Sequence, residues 1–406
     1  MTGRVGGGAL ACLQMVALLL LAPPMATAEI TVGPTIDLPW STWVDFQGGT
    51  VALLANGSFA ITTDRGDIIA RQVQFFNAAG HLIRSRLLKP PVVAPQFVGV
   101  GSLGSSYFVV WQDYLPDGVA YAHAFSQLYS DKGTPLGTPI LWPSSAVSDF
   151  AEFYRFGSAP RWRFLPITYD LLPDLCDANP IYQASLRVAE PNAMPQLPPN
   201  QLGPPVVSNI EDAAVNGRGR FVVDSFQCAS QCGPSPCPRG IQIFDDAMRP
   251  ITSFLTAEVT QTNTRVFTAI NAQGQVLLST LNSAGRFVVR LYDQNGSPAT
   301  DEIPVDTMDE LPDPSPVRDM KGLDDGSFAL AWIDQTASDG EALVVTRFDP
   351  KTRTSEAPVV IATTSYEFRK ALLKLNGNGR GVVVWESQDA IFGPFAGHFS
   401  LINVQP

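Results

Sequence analysis

The sequence predicts an all-β chain made of small sheets that repeat along its length. Three observations predict it. One sequence unit recurs about seven times, at a period typical of stacked repeats rather than of one undivided core. Glycine and proline number 33 and 34, while charged residues make up only 16% of the chain. That balance suits many short strands joined by turns. No long stretch carries apolar residues at i, i+3, i+4 and i+7, as an amphipathic helix would.

Taken in chain order, the first residues are a targeting segment. Arg4 supplies a basic start, Leu10 to Ala22 an apolar run, and Ala26-Thr27-Ala28 a small-residue cleavage site. Residues 1–28 are therefore expected to be a signal peptide and 29–406 a single repeat domain. The apolar run is too short to span a bilayer comfortably, and nothing else approaches that length.

Each unit reads as glycine, an apolar run, a variable loop, a second apolar run ending in an aromatic, and a polar turn. The first is Gly57 to Ile61 with Arg71 to Phe76; the second is Tyr107 to Trp111 with Ala122 to Tyr129. A degenerate third runs Arg161 to Asp170 and Ile181 to Val188. The fourth is Gly219 to Asp224 with Gly240 to Asp245, and the fifth Gly274 to Leu278 with Arg286 to Asp293. The clearest are Gly326-Ser-Phe-Ala-Leu-Ala-Trp332 with its partner run ending at Arg347-Phe348-Asp349, and Gly381-Val-Val-Val-Trp385 with Phe399. Anchors fall at Phe59, Phe108, Phe164, Phe221, Val276, Phe328 and Val382.

A stretch before each glycine, such as Phe97 to Val100, gives an inner strand. A short segment such as Pro358 to Ile361 gives an outer one. Four strands per unit, repeated radially, make a β-propeller, whose closure removes exposed sheet edges. The expected fold is a seven-bladed β-propeller, with six or eight blades as the neighbouring counts. The last unit lacks a clear fourth strand, and Ile30 to Leu38 is an unassigned strand candidate. This N-terminal strand is expected to close the last blade.

The run Leu323-Asp-Asp-Gly-Ser-Phe-Ala-Leu-Ala-Trp332, followed by Val344-Val-Thr-Arg-Phe-Asp349, resembles the propeller-type repeats of exported, largely uncharacterised bacterial proteins. The resemblance implies a fold and an exported life, and it brings no catalytic residues.

Four cysteines remain after cleavage: Cys176, Cys228, Cys232 and Cys237. An even number in an exported chain reads as disulfides. Of the three pairings, Cys228–Cys237 with Cys176–Cys232 is favoured; export, the absence of a nearby histidine and the wide gap to Cys176 argue against the competing zinc site. The net charge of −11 disfavours nucleic acid and anionic membrane surfaces.

Carboxylates near the end of the first apolar run are the leading candidates for ligand binding: Asp113, Asp224, Asp334 and Glu386. Equivalent positions in different blades would ring one mouth, where acids can hold a cation, bond sugar hydroxyls or act as an acid–base pair. Their plain alternative is to cap strand ends. Trp111, Trp332 and Trp385 are expected to pack between blades, whereas Trp40 and Trp43 are offered as surface residues for stacking on a ligand. No metal or other cofactor is implied. The reading that results is a monomeric, secreted or periplasmic binding module for a glycan or a cell-surface protein. A polysaccharide hydrolase or lyase with carboxylates at the mouth is the alternative.

Overall fold

The computed structural model describes residues 29–38, 51–65, 70–88, 97–114, 122–141, 152–155, 164–172, 181–186, 200–201, 208–227, 239–247, 249–256, 266–282, 287–305, 318–334, 340–388, 390 and 395–405. The signal-peptide expectation at 1–28 lies outside them, as do Trp40, Trp43 and the four cysteines. Among the described residues every regular element is a strand. Among the described residues no helix is long and apolar enough to cross a membrane.

The strands form small antiparallel sheets, labelled A to F along the chain. Sheet A joins Val51–Leu53, Phe59–Arg65, Ala70–Phe76 and Leu82–Leu87, each strand beside the next. Sheet B joins Phe97–Leu103, Ser106–Tyr114, Ala122–Ser130 and Pro135–Leu141 in the same way. Sheet C has eight strands and divides into two four-stranded meanders, Glu152 to Gln201 and Ser208 to Thr256. A single parallel pair, Gln183 with Ser208, joins them. Sheet D runs from Phe267 to Pro304, and sheet E from Arg318 to Thr364.

Sheet F contains Glu367–Leu375, Arg380–Gln388 and Ala396–Val404, and its outer strand comes from the other end of the chain. Ile30–Val32 pairs with Ile402 to Val404, and Ile36–Asp37 with His398 and Phe399. The segment Ile30 to Leu38 thus supplies the strand that the last unit lacks.

Alternation along each second strand sends side chains to two neighbours. Phe328, Leu330 and Trp332 pack toward sheet D, whereas Ala329, Ala331 and Ile333 pack toward sheet F. Buried clusters of this kind join A to B, the second half of C to D, D to E, E to F, and F back to A. The first strands follow the same order. Val51–Leu53 lies beside Phe97–Leu103, the series continues through 152–155, 208–215, 267–270 and 318–322, and Glu367–Leu375 lies beside Val51–Leu53. The arrangement is propeller-like. A lone sheet would leave both apolar faces in water, at about 1.5–3 kcal/mol per large side chain.

The clusters correct two of the sequence anchors. In sheet B it is Tyr107, not Phe108, that faces the preceding sheet as Phe59 and Phe328 do. In sheet F Val382 faces the following sheet, and Gly381 holds the anchor position, paired with Leu375 as Phe328 is with Gly322. The offset is one residue in each case. Both neighbours are apolar in strands buried on both faces, so hydrophobicity alone does not mark the side.

Candidate functional site

The two ends of the sheets are built differently. At one end sit the hairpins that join first to second and third to fourth strands. In the first kind, Asn216, Asn271 and Asn376 open turns in which the N–H of the residue four on is bonded to the asparagine Oδ1, at 3.1, 2.9 and 2.9 Å. The glycine at the fourth position donates back to the asparagine carbonyl and has φ near +80°, a region glycine enters without steric cost: Gly219 +80°, Gly274 +82° and Gly379 +82°. The third-to-fourth hairpins use Asn77, Ser130, Asp245 and Asp293 in the same capping role, while Asp349 accepts from the N–H of Lys351, two residues on.

These turns also tie sheet to sheet. Asn216 Nδ2 donates to the carbonyl of Asn271 at 3.0 Å, and Asn271 Nδ2 donates to the carbonyl of Gly326 at 2.6 Å. The N–H of Asp324 continues the series to the carbonyl of Gly377 at 2.7 Å. The hairpins therefore share one face of the assembly, the turn face. The Asn-x-x-Gly spacing that marks this ladder was open to sequence inspection. Its cross-sheet bonds were not, because they depend on which sheets pack together.

Beside the ladder, Arg347 bonds Asp325 at 2.7 Å, Glu356 at 2.9 Å and the Ser327 hydroxyl at 3.0 Å. Burial pushes the Asp325 carboxyl up. The Ser327 hydroxyl and N–H, with the Arg347 guanidinium, outweigh it and hold Asp325 below the usual carboxylate range. Burial likewise pulls Arg347 down, and its two carboxylate partners raise it on balance.

The opposite end, the loop face, is where the second strands finish and where the predicted carboxylates lie. The structure separates them. Asp334 lies six residues beyond Phe328, and Asp113 six beyond Tyr107, so these two hold equivalent backbone places. Glu386 lies five residues beyond Gly381 and Asp224 three beyond Phe221. An odd offset turns a strand residue to the other face of its sheet. Asp224, in step with Val222, is directed toward sheet D and is buried; Glu386, in step with Val382 and Val384, is directed toward sheet A and is 2% exposed. Asp334 is half-buried. The four acids do not form one ring of equivalent positions, which corrects that expectation.

Glu386 shares its interface with an unusual polar group. Thr63, Gln72 and Gln74 of sheet A lie on the same side as Phe59 and Ile61, all buried. The Gln74 amide donates to Thr63 at 3.4 Å, and among the described residues Gln72 Nε2 has no hydrogen-bond partner.

The three repeated tryptophans pack between sheets, as the sequence suggested. Trp111 joins A to B, Trp332 joins D to E, and Trp385 joins E to F, each no more than 5% exposed. Trp111 stacks on Phe125 at 5.8 Å between centroids. Trp385 stacks on His398, the cross-strand equivalent of Phe125, at 5.7 Å. His398 Nδ1 also meets the Asp37 carboxylate at 2.9 Å, linking strands 361 residues apart. Sequence reasoning missed this pair, since neither residue stands near the other along the chain. Among the described residues no group of three or more His, Cys, Asp or Glu side chains is arranged to hold a metal ion.

No protein-family model matches this chain, and no curated protein matches it. Solved structures are similar at low identity. The β-propeller domain of the Trilobed protease from Pyrococcus furiosus is 9% identical, with 87% of this chain and 92% of that chain covered, at a TM-score of 0.49. A complex of KlAtg21 with the coiled-coil of AgAtg16 gives 13%, with 89% and 100% covered, at 0.49. A protein of unknown function from Dyadobacter fermentans gives 11%, with 93% and 99% covered, at 0.45.

Proposed function

We propose that the chain is an exported, closed β-propeller of seven blades, finished by its N-terminal strand, that serves as a monomeric binding module. Its ligand is a glycan or a cell-surface protein, taken up at the loop face. The observation that carries this reading is the unbroken order of packing. Each first strand lies beside the next, the last lies beside the first, and a buried cluster joins sheet F to sheet A. Such a ring is a rigid frame, and the second strands of its sheets finish on one side of it. Residues at the ends of rigid elements are natural carriers of specificity.

Export to the periplasm or beyond rests on residues 1–28, and disulfides on Cys176, Cys228, Cys232 and Cys237. The different depths of Asp224, Asp334 and Glu386 favour binding over a hydrolase or lyase that needs two carboxylates acting on one bond. Trp40 and Trp43 remain proposed stacking residues. The test is a glycan array and an envelope pull-down with residues 29–406, followed by Asp113→Asn and Asp334→Asn. Binding that both substitutions weaken supports the reading. Turnover of a polysaccharide that Glu386→Gln abolishes would replace it with the enzymatic one.

A further inference from the structure

The outer edges of the sheets are not alike. The second half of C and sheet D end in strands of two residues, Leu255–Thr256 and Ile303–Pro304. Sheet B ends in Pro135–Leu141, which contains Pro135, Pro139 and a Gly137 at φ +94°, and its register breaks between Leu136 and Ile140. Val359–Thr364 in sheet E has a break in mid-strand. Sheet F is edged by two short pieces with Pro34 between them. Prolines, breaks and short lengths all blunt an edge against pairing with another chain.

Leu82–Leu87 in sheet A has none of these devices from Arg84 to Leu87. Its pairing with Gln72 to Phe75 is continuous there, and it holds neither proline nor glycine. Among the described residues no strand lies beyond it. Leu82, Ile83 and Leu87 are each about two-fifths exposed. Arg84 and Arg86 lean toward sheet B and, among the described residues, bond only neutral oxygens, the Thr134 hydroxyl at 3.1 Å and the Gly133 carbonyl at 3.4 Å. The strand carries two cations and no acid, on a chain whose net charge is −11.

We propose that this edge receives an extended, acidic segment of a partner protein, which adds to sheet A as a further strand. Main-chain hydrogen bonds would supply affinity, and alternate side chains the selectivity. Carboxylates on one side of the incoming strand would meet Arg84 and Arg86, while β-branched or aromatic residues on the other would cover Leu87. A second copy of the chain is a poor occupant, because two such edges side by side bring arginine near arginine. The site lies at the outer rim, apart from the loop-face acids, and does not depend on what they bind.

The test uses fluorescent peptides of about ten residues alternating Asp or Glu with Val, Ile, Thr, Tyr or Phe, titrated by anisotropy with residues 29–406 at low salt. Members of the pool should bind. Lysine in place of the acids, or a central proline, should weaken binding by about tenfold or more. Arg84→Glu with Arg86→Glu, shown folded by an unchanged thermal transition, should reverse the charge preference. Failure of every acidic peptide to bind, equal binding of the lysine and acidic pools, or self-association that the double variant removes, would each overturn the proposal.

Discussion

The turn face and the loop face belong to the same strands and follow different rules. On the turn face, one short pattern is used again and again, and each copy hydrogen-bonds both its own backbone and the neighbouring sheet. On the loop face, acids that look alike in sequence end up on opposite sides of their sheets and at different depths. The contrast teaches where selection for folding and selection for recognition can be separated in a repeat protein. Bonds that recur from unit to unit are set by geometry those units share. Groups that contact a ligand have no reason to obey that repeat.

Four measurements would break or sharpen the contrast. The largest effect is expected from Phe328→Ala at the turn end of the D–E cluster, where the side chain is fully buried. Chemical denaturation should record a loss of about 3–5 kcal/mol. A change under 1 kcal/mol would mean that the sheets do not depend on one another's faces.

Asn271→Ala comes next. It removes the turn cap to Gln273 and Gln275 and the bond to sheet E, and leaves the Gly326 carbonyl without this donor. The expected loss is about 1–3 kcal/mol with ligand binding unaltered. A binding defect larger than the stability defect would contradict the division between faces.

A pH effect follows from Asp325. Its folded carboxyl lies below the usual range, so it stabilises the fold above the unfolded carboxylate value of about 3.9, and this is lost as pH falls through the folded value. Stability curves of the wild type and Asp325→Asn should be separated at neutral pH and converge below about pH 4. Curves that stay parallel down to acid denaturation would remove Arg347–Asp325 from the account.

A smaller structural effect than the three above is expected from Asp334→Asn, whose main consequence should be weaker ligand capture. Calorimetry beside the binding assay checks both halves.

Much of the fold was legible. Units marked by Gly57, Gly326 and Gly381 became hairpins, and the orphan segment at Ile30 found the strand it was expected to complete. The anchors in sheets B and F were misread because Phe108 and Val382 stand beside Tyr107 and Gly381 in runs, Tyr107 to Trp111 and Gly381 to Trp385, that hold no polar residue to mark a side. The candidate site was legible only as a region. Depth along a strand depends on where its turn ends, and one residue more or less reverses a side chain, as Asp334 and Glu386 demonstrate. The His398–Asp37 contact joins opposite ends of the chain and leaves no local trace. The buried polar patch of Thr63, Gln72 and Gln74 was hidden in two paired strands whose alternation looked ordinary.

Because Glu29 accepts a hydrogen bond from the N–H of Gln405 at 3.0 Å, the two ends of the described chain are already in contact. A linker of a few glycines would splice them, and new termini could be cut at an exposed hairpin such as Lys351 to Arg353. Such a rearranged gene product would place any fused cargo on the turn face, away from the loops proposed for recognition. The molecule thus offers a mounting point chosen by the experimenter rather than by its gene.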